Sequence, residues 1–232
     1  MSDTETVHLL AADEGHNHLA DVYDARTNRF RRFEALPPLG GMTGKGVVLA
    51  VIDTGLLSKH PVIRARMIEA VDFTGEGAED ENGHGTKVAL VLLRQSPDAS
   101  LISVKALKKD GTSSAKDLLK ALRWVREDKR IRVVNLSAGV YRPDCAGHCS
   151  VCEAARRVVA AGKVVLVAAG NLPGITACPA KASDAVMTVA AFDSASGAIA
   201  SYSSPATTEG ILAPVDPVPA EWVDQEGNPV GN

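Results

Sequence analysis

Residues 47–55, VVLAVIDTG, constrain the fold more than any other stretch of the chain. Six apolar residues, mostly β-branched, run into Asp53 and then break at Thr54 and Gly55. A run of that length closed by a turn signal reads as a strand buried on both faces, as in a parallel sheet, with a carboxylate at its C-terminal end. Open α/β sheets gather their working groups at that end. A buried carboxylate is costly to desolvate alone, so Asp53 needs a partner.

That partner is expected in Glu81-Asn82-Gly83-His84-Gly85-Thr86, which runs into the apolar stretch 88–93. Glycines on both sides of His84, at a loop-to-helix junction, leave the imidazole accessible and let another backbone approach. Taken singly, Asp53 also fits a helix N-cap and His84 an exposed loop histidine. Together they read as the orienter and general base of a hydrolytic triad. AVIDTG around Asp53, NGHGTKVA around His84, NLSAG at 135–139 and VAAGN at 167–171 resemble, in the same order, the motifs of subtilisin-like serine peptidases, the subtilases. The resemblance covers roughly residues 40–204. It implies a three-layer α/β fold with a mostly parallel central sheet, and peptide-bond hydrolysis through an acyl-enzyme with no cofactor required for catalysis.

The resemblance assigns further roles. Asn171, which otherwise reads as a turn residue tolerating a left-handed backbone, would donate its side-chain amide to the oxyanion. Ser137, Ala138 and Gly139 would pair with an extended peptide or protein substrate, with Gly111, Thr112 and Ser113 as the opposing edge, in the manner of strand augmentation. Ala115 stands about where relatives often carry an aromatic, which implies a wider specificity pocket. Leu172 hints at an apolar preference before the scissile bond, and Cys178-Pro179 stands at a site where a cis bond is expected. Calcium, common in relatives, has no ligand spacing in the acidic loop 76–81 that would place it.

The resemblance stops at the nucleophile. Relatives carry it in a Gly-Thr-Ser segment opening a central helix, and no Gly-Thr-Ser follows Asn171 here. Ser201, Ser203 and Ser204 come too early, and Ser137 belongs to the substrate wall. The expectation is a subtilase-like domain without its C-terminal helix and strands, inactive alone, with the serine just beyond residue 232. A second chain supplying the serine and a non-catalytic, peptide-binding or regulatory relative are the alternatives. A missing central helix would expose apolar surface, which speaks against a complete pseudoenzyme.

Around these motifs the chain alternates strands (71–73, 99–107, 131–136, 164–169, 185–191, 199–203) with helices (88–93, 117–125, 153–161), the pattern of a covered parallel sheet. Residues 1–44 read as an N-terminal extension and linker, with the Pro/Gly stretch 36–41 leading into a domain over 45–232. Arg29, Arg31 and Arg32 read as a solvated face, and a net charge of −3 shows no bias toward nucleic acid or membrane. The acidic, polar start resembles no secretory signal, and no apolar run approaches membrane-spanning length, so a cytoplasmic location is expected. Cys145, Cys149, Cys152 and Cys178 have spacings that fit a zinc site of four thiolates, with His148 as a substitute ligand. Two disulfides or four free thiols also fit the count.

Overall fold

The computed structural model describes residues 5–10, 17–37, 39–206, 210–215 and 218–230. Thirteen strands and five helices are found among them. In chain order these are β1 (Thr6–Leu9), α1 (Leu19–Val22), β2 (Tyr23–Asp24), β3 (Arg29–Phe33), β4 (Val48–Asp53), α2 (Pro61–Arg66), β5 (Met67–Asp72), α3 (His84–Gln95) and β6 (Ser100–Lys105). They continue as β7 (Thr112–Ser114), α4 (Ala115–Glu127), β8 (Ile131–Leu136), β9 (Ala138–Gly139), α5 (Ser150–Ala160), β10 (Val164–Ala168), β11 (Met187–Phe192), β12 (Ile211–Pro214) and β13 (Ala220–Val223).

Seven strands form the central sheet in the order β12-β11-β10-β8-β4-β6-β5, and every pairing in it is parallel. The run 47–55 supplies an interior strand, β4, held between β8 and β6, and its residues from Leu49 to Asp53 are all buried. Successive side chains of a strand point to opposite faces. Ala50 and Ile52 therefore pack with Leu118, Leu122 and Val158 of α4 and α5, whereas Leu49 and Val51 pack with Ala89, Leu90 and Leu93 of α3. The result is the three-layer α/β architecture.

Helix ends follow local chemistry. Ser114 caps α4 by accepting the Asp117 amide at 3.2 Å, and the helix buries Leu118, Ala121, Leu122 and Val125 at helical spacing. His60 caps α2 by accepting the Val62 amide, and its Nε2 meets the Arg31 carbonyl at 2.9 Å. Burial drives the His60 pKa down to about 4. This neutral histidine ties β3 to the loop after Asp53.

Several readings need correction. Residues 199–203 form no strand: Ile199 makes one isolated bridge to Phe192, and 201–202 turn. The outer parallel strand is β12 instead. The arginines 29, 31 and 32 are half-buried rather than a solvated face, because β3 pairs with β2 at Arg29 and with β13 at Arg31 and Arg32. Across that pairing Arg31 stacks over Trp222 at 5.2 Å and Arg32 meets Glu221 at 2.6 Å. Of the stretch 36–41, Pro38 lies outside the described residues, and Leu39–Gly41 form a single 3-10 turn. Among the described residues, no helix is long and apolar enough to cross a membrane.

Candidate active site

Asp53 ends β4 and His84 opens α3, so the sheet's C-terminal edge brings them together. His84 Nδ1 lies 2.8 Å from Asp53 Oδ1, with both side chains buried. The same oxygen accepts the Thr54 amide at 2.7 Å, while Oδ2 has no hydrogen-bond partner among the described residues. Burial works against a charged imidazole. The Asp53 carboxylate outweighs that loss by charge and hydrogen bond, with Asp80 adding to the attraction, and holds the His84 pKa above its ordinary value. With Nδ1–H directed at the carboxylate, neutral His84 presents Nε2 as a bare acceptor. Among the described residues no hydroxyl is hydrogen-bonded to it.

The loop that delivers His84 is organised by Asp80, which sequence reading passed over as part of an acidic run. Asp80 is buried and accepts five hydrogen bonds: Oδ1 from Thr54 Oγ1 and the amides of Asn82 and Gly83, Oδ2 from the amide and hydroxyl of Thr86. Thr54 Oγ1 in turn accepts the Gly85 amide at 3.0 Å, and Thr86 Oγ1 accepts that of Leu57 at 2.9 Å. The Asp strand and the His helix are thus laced through two threonines and one carboxylate. The signal was present as Asp80 followed by Asn82-Gly83, a local Asx-turn pattern.

Close approach explains the glycine after the histidine. A Cβ on Gly85 would fall 2.2 Å from the Gly55 carbonyl oxygen and 3.1 Å from Asp53 Cβ. Gly85→Ala is expected to destabilise the fold by about 1–3 kcal/mol through overpacking. In the same variant the His84–Asp53 hydrogen-bonded proton should weaken or vanish in a low-field NMR spectrum. An unchanged melt and resonance would mean that the two backbones can separate freely.

The two segments read from sequence as substrate edges lie on either side of a strand of the chain itself. β7 carries Thr112 and Ser113 with Gly111 just before it, and β9 carries Ala138 and Gly139 with Ser137 just before it. The chain's own β1 lies between them, antiparallel to both. The Leu9 amide donates to the Gly111 carbonyl and the Leu10 amide to that of Ser137, each at 2.9 Å. The Ala115 amide donates to the Glu5 carbonyl at 2.9 Å, and Val7 packs in the same core cluster as Ala115. Val7, Leu9 and Leu10 are buried. Leu10 lines a hollow with Ala169, Gly170 and Asn171. Further along, the His18 ring lies 5.5 Å from that of His84, tilted by 58°. His18 and Leu19 therefore lie against the loop that carries His84, while Leu10 reaches the turn that carries Asn171.

Asn171 follows β10, as the motif requires. Its backbone amide donates to the Tyr141 hydroxyl, and Gly170 before it has φ +122, where a Cβ would fall 2.6 Å from Ser204 Oγ and 2.9 Å from the Tyr141 hydroxyl oxygen. Tyr141 was not singled out from sequence, and Ser204 was weighed there only as a nucleophile and set aside; neither sits in a recognisable motif, and only the fold brings them to this turn. Leu172 is exposed, with its amide held by Ser204 Oγ at 3.1 Å. The Cys178–Pro179 bond is cis. The four cysteine sulfurs lie within 4.8 Å of one another. His148, the substitute ligand considered from sequence, is not one of that group; it is exposed and lies 3.4 Å from Glu153.

Comparison with known proteins agrees with this geometry. The model of the subtilase family matches residues 44–221. The subtilase-type proteinase RRT12 of Saccharomyces cerevisiae is 34% identical over 185 residues, covering 74% of this chain and 36% of that protein. The serine protease AprX of Bacillus subtilis is 33% identical over 175 residues, covering 66% and 39%. Subtilisin Savinase of Lederbergia lenta is 34% identical over 163 residues, covering 66% and 58%. The chain spans less than two thirds of each of these relatives. With the motif order, the parallel sheet and a family match over most of its length, the chain belongs to the subtilase family.

Proposed function

We propose that this domain is the larger part of a serine endopeptidase. In this reading Asp53 orients His84, and His84 takes the proton from a serine carried by a segment outside residues 1–232. The serine oxygen adds to the scissile carbonyl, and Asn171 with a backbone amide stabilises the resulting oxyanion. His84 then returns the proton to the leaving amine, and the acyl-enzyme is cleared by a water that His84 deprotonates in the same way. Proton transfer and charge stabilisation both come from protein groups, so no metal enters the scheme.

The observation that carries this reading is the pairing of β1 with β7 and β9 beside the Asp53–His84 pair. A segment held by main-chain hydrogen bonds to two edges is bound as a peptide substrate would be. In that register Leu10 stands immediately before the bond to be cut, which favours a medium-sized aliphatic residue there. The same strand keeps the cleft shut until it leaves.

A second observation supports a serine on an added segment. The sheet face that α3 covers over β4 continues across β10 to β12 with little over it. Val164, Met187 and Ile211 are 47%, 41% and 40% exposed there, with Leu166, Val189 and Ala191 half-buried between them. Contiguous apolar surface of this kind marks a contact site. A helix laid on it would start near Asn171 and His84.

A fluorophosphonate, which tags only an activated serine, tests the reading by intact mass. The 24.3 kDa chain is expected to stay untagged. A version extended through a Gly-Thr-Ser segment should be tagged there, and lose the tag in His84→Ala. Tagging of the 232-residue chain itself, abolished by His84→Ala, would place the nucleophile inside it. An extended chain that stays untagged would leave a peptide-binding cleft without chemistry.

A further inference from the structure

Cys145, Cys149, Cys152 and Cys178 come from three places: the loop after β9, the first turn of α5 and the loop after β10. Their sulfurs nevertheless converge within 4.8 Å of one another, with Cys149 and Cys152 only 3.5 Å apart. Bringing four weak hydrogen-bonding groups to one point has no evident gain in packing alone. A disulfide would need sulfurs at about 2.05 Å, and all four are free. A tetrahedron of thiolates around zinc, with bonds of about 2.3 Å, has sulfur–sulfur edges of about 3.8 Å. One pair at 3.5 Å and all pairs within 4.8 Å bracket that edge. It is too tight for a cage of several irons.

Its surroundings suit thiolates. Cys149 stands at the N-cap of α5, where the helix dipole favours negative charge. The Gly147 amide lies 3.3 Å from Cys145 Sγ. The neighbouring cations are committed elsewhere: Arg156 to Asp184 and Glu153, Lys181 to the carbonyls of Arg142 and Pro143. Among the described residues, no cationic side chain is hydrogen-bonded to any of the four sulfurs.

We propose that these four cysteines bind one zinc ion, which clamps together the two loops that wall the substrate cleft. Four protein ligands leave no open position, so the site is structural rather than catalytic. Its place explains its use. Val140 and Cys178 exchange both backbone hydrogen bonds, at 3.0 and 2.8 Å, and a Cβ on Gly139 would meet the Cys178 carbonyl oxygen at 2.7 Å and Leu10 Cδ1 at 3.2 Å. The ion would sit directly behind the wall against which the residue before the scissile bond rests. The metal is independent of the peptidase reading, being expected whether or not a serine joins the dyad; only its role behind a substrate wall rests on that reading.

The test is metal content and native mass of the full chain, expressed with zinc and purified under reducing conditions without chelator. About one zinc per chain is expected, lost in Cys149→Ser and Cys178→Ser, and a chelator should lower the melting temperature of the unmodified chain. Cobalt exchanged into the unmodified chain should show thiolate-to-metal charge transfer with tetrahedral ligand-field bands; this readout does not depend on the variants folding. Metal-free protein with four alkylatable thiols, a mass short by two disulfides, or a cobalt spectrum without thiolate bands would each overturn the proposal.

Discussion

Asp53→Asn is expected to move the titration of His84 from above 6.5 to below it, and to remove nearly all turnover from a serine-completed enzyme. In the wild-type chain burial depresses the imidazole pKa, but the adjacent carboxylate more than offsets it. Asparagine keeps the shape and the burial and removes the charge, so desolvation is left opposed only by the weaker attraction of Asp80. The stability consequence has a definite sign. With the folded pKa raised above 6.5, protonated His84 stabilises the wild-type fold fully below about pH 6.5, and that contribution is lost as pH rises through the folded value. In Asp53→Asn the sign inverts: this site then favours the folded state more as pH rises toward 6.5. Amide in place of carboxylate in a Ser-His-Asp triad costs about 10⁴ in turnover, because the imidazole loses both its tautomer and its counter-charge. NMR titration of His84 in the 232-residue chain reads the first effect without any serine. A pKa that stays above 6.5 in the variant would show that Asp53 is not what holds the proton. The same raised pKa places the acid limb of the completed enzyme's pH profile above 6.5, since only neutral His84 accepts a proton.

What could be read in the sequence was whatever local pattern decides. β4, β6, β8 and β10 are apolar runs whose burial needs no distant partner to predict, and α4 shows its buried face at helical spacing. Asp53 and His84 were legible because each sits where such an element ends or begins. β1 was not, because Thr6–Leu9 has four residues and no fixed preference until β7 and β9, over a hundred residues away, offer it two edges. β3 and β13 were hidden for the same reason, and their arginines were misread because a cross-strand tryptophan and glutamate are invisible to local charge counting. Asp80 looked like one carboxylate in an exposed acidic loop. Its five donors appear only when the loop folds back over Thr54. Residues 199–203 carry strand-forming types, but Ser203 and Ser204 are drawn into hydrogen bonds with the Ala191 amide and the Leu172 and Ile175 carbonyls, which turn the backbone away from the sheet.

Removing residues 1–10 is expected to raise the affinity of the cleft for an extended peptide by roughly 100-fold or more. The strand is tied to the domain it occupies, so it competes at an effective concentration in the millimolar range that no dilution reduces. It is also well fitted, since Val7, Leu9 and Leu10 are at most 7% exposed. Burying each such side chain stabilises by about 1.5–3 kcal/mol, so even after ordering costs a net preference of about 2.8 kcal/mol, a factor of 100, is modest. A peptide of the sequence Glu-Thr-Val-His-Leu-Leu, that of residues 5–10, measures the effect by calorimetry on the intact and shortened chains. Equal affinities would mean that β1 does not hold the cleft in solution, and no binding to the shortened chain would mean that the two edges do not capture peptides. The side-chain pattern sharpens the test. Thr6 and His8 face outward while Val7, Leu9 and Leu10 face in. Aspartate in place of the first two should therefore leave peptide binding nearly unchanged, whereas aspartate in place of Val7 or Leu10 should cost tenfold or more, about 1.4 kcal/mol at least. Main-chain pairing alone would respond equally to all four, so the alternation separates a specific cleft from a sheet edge that accepts any strand.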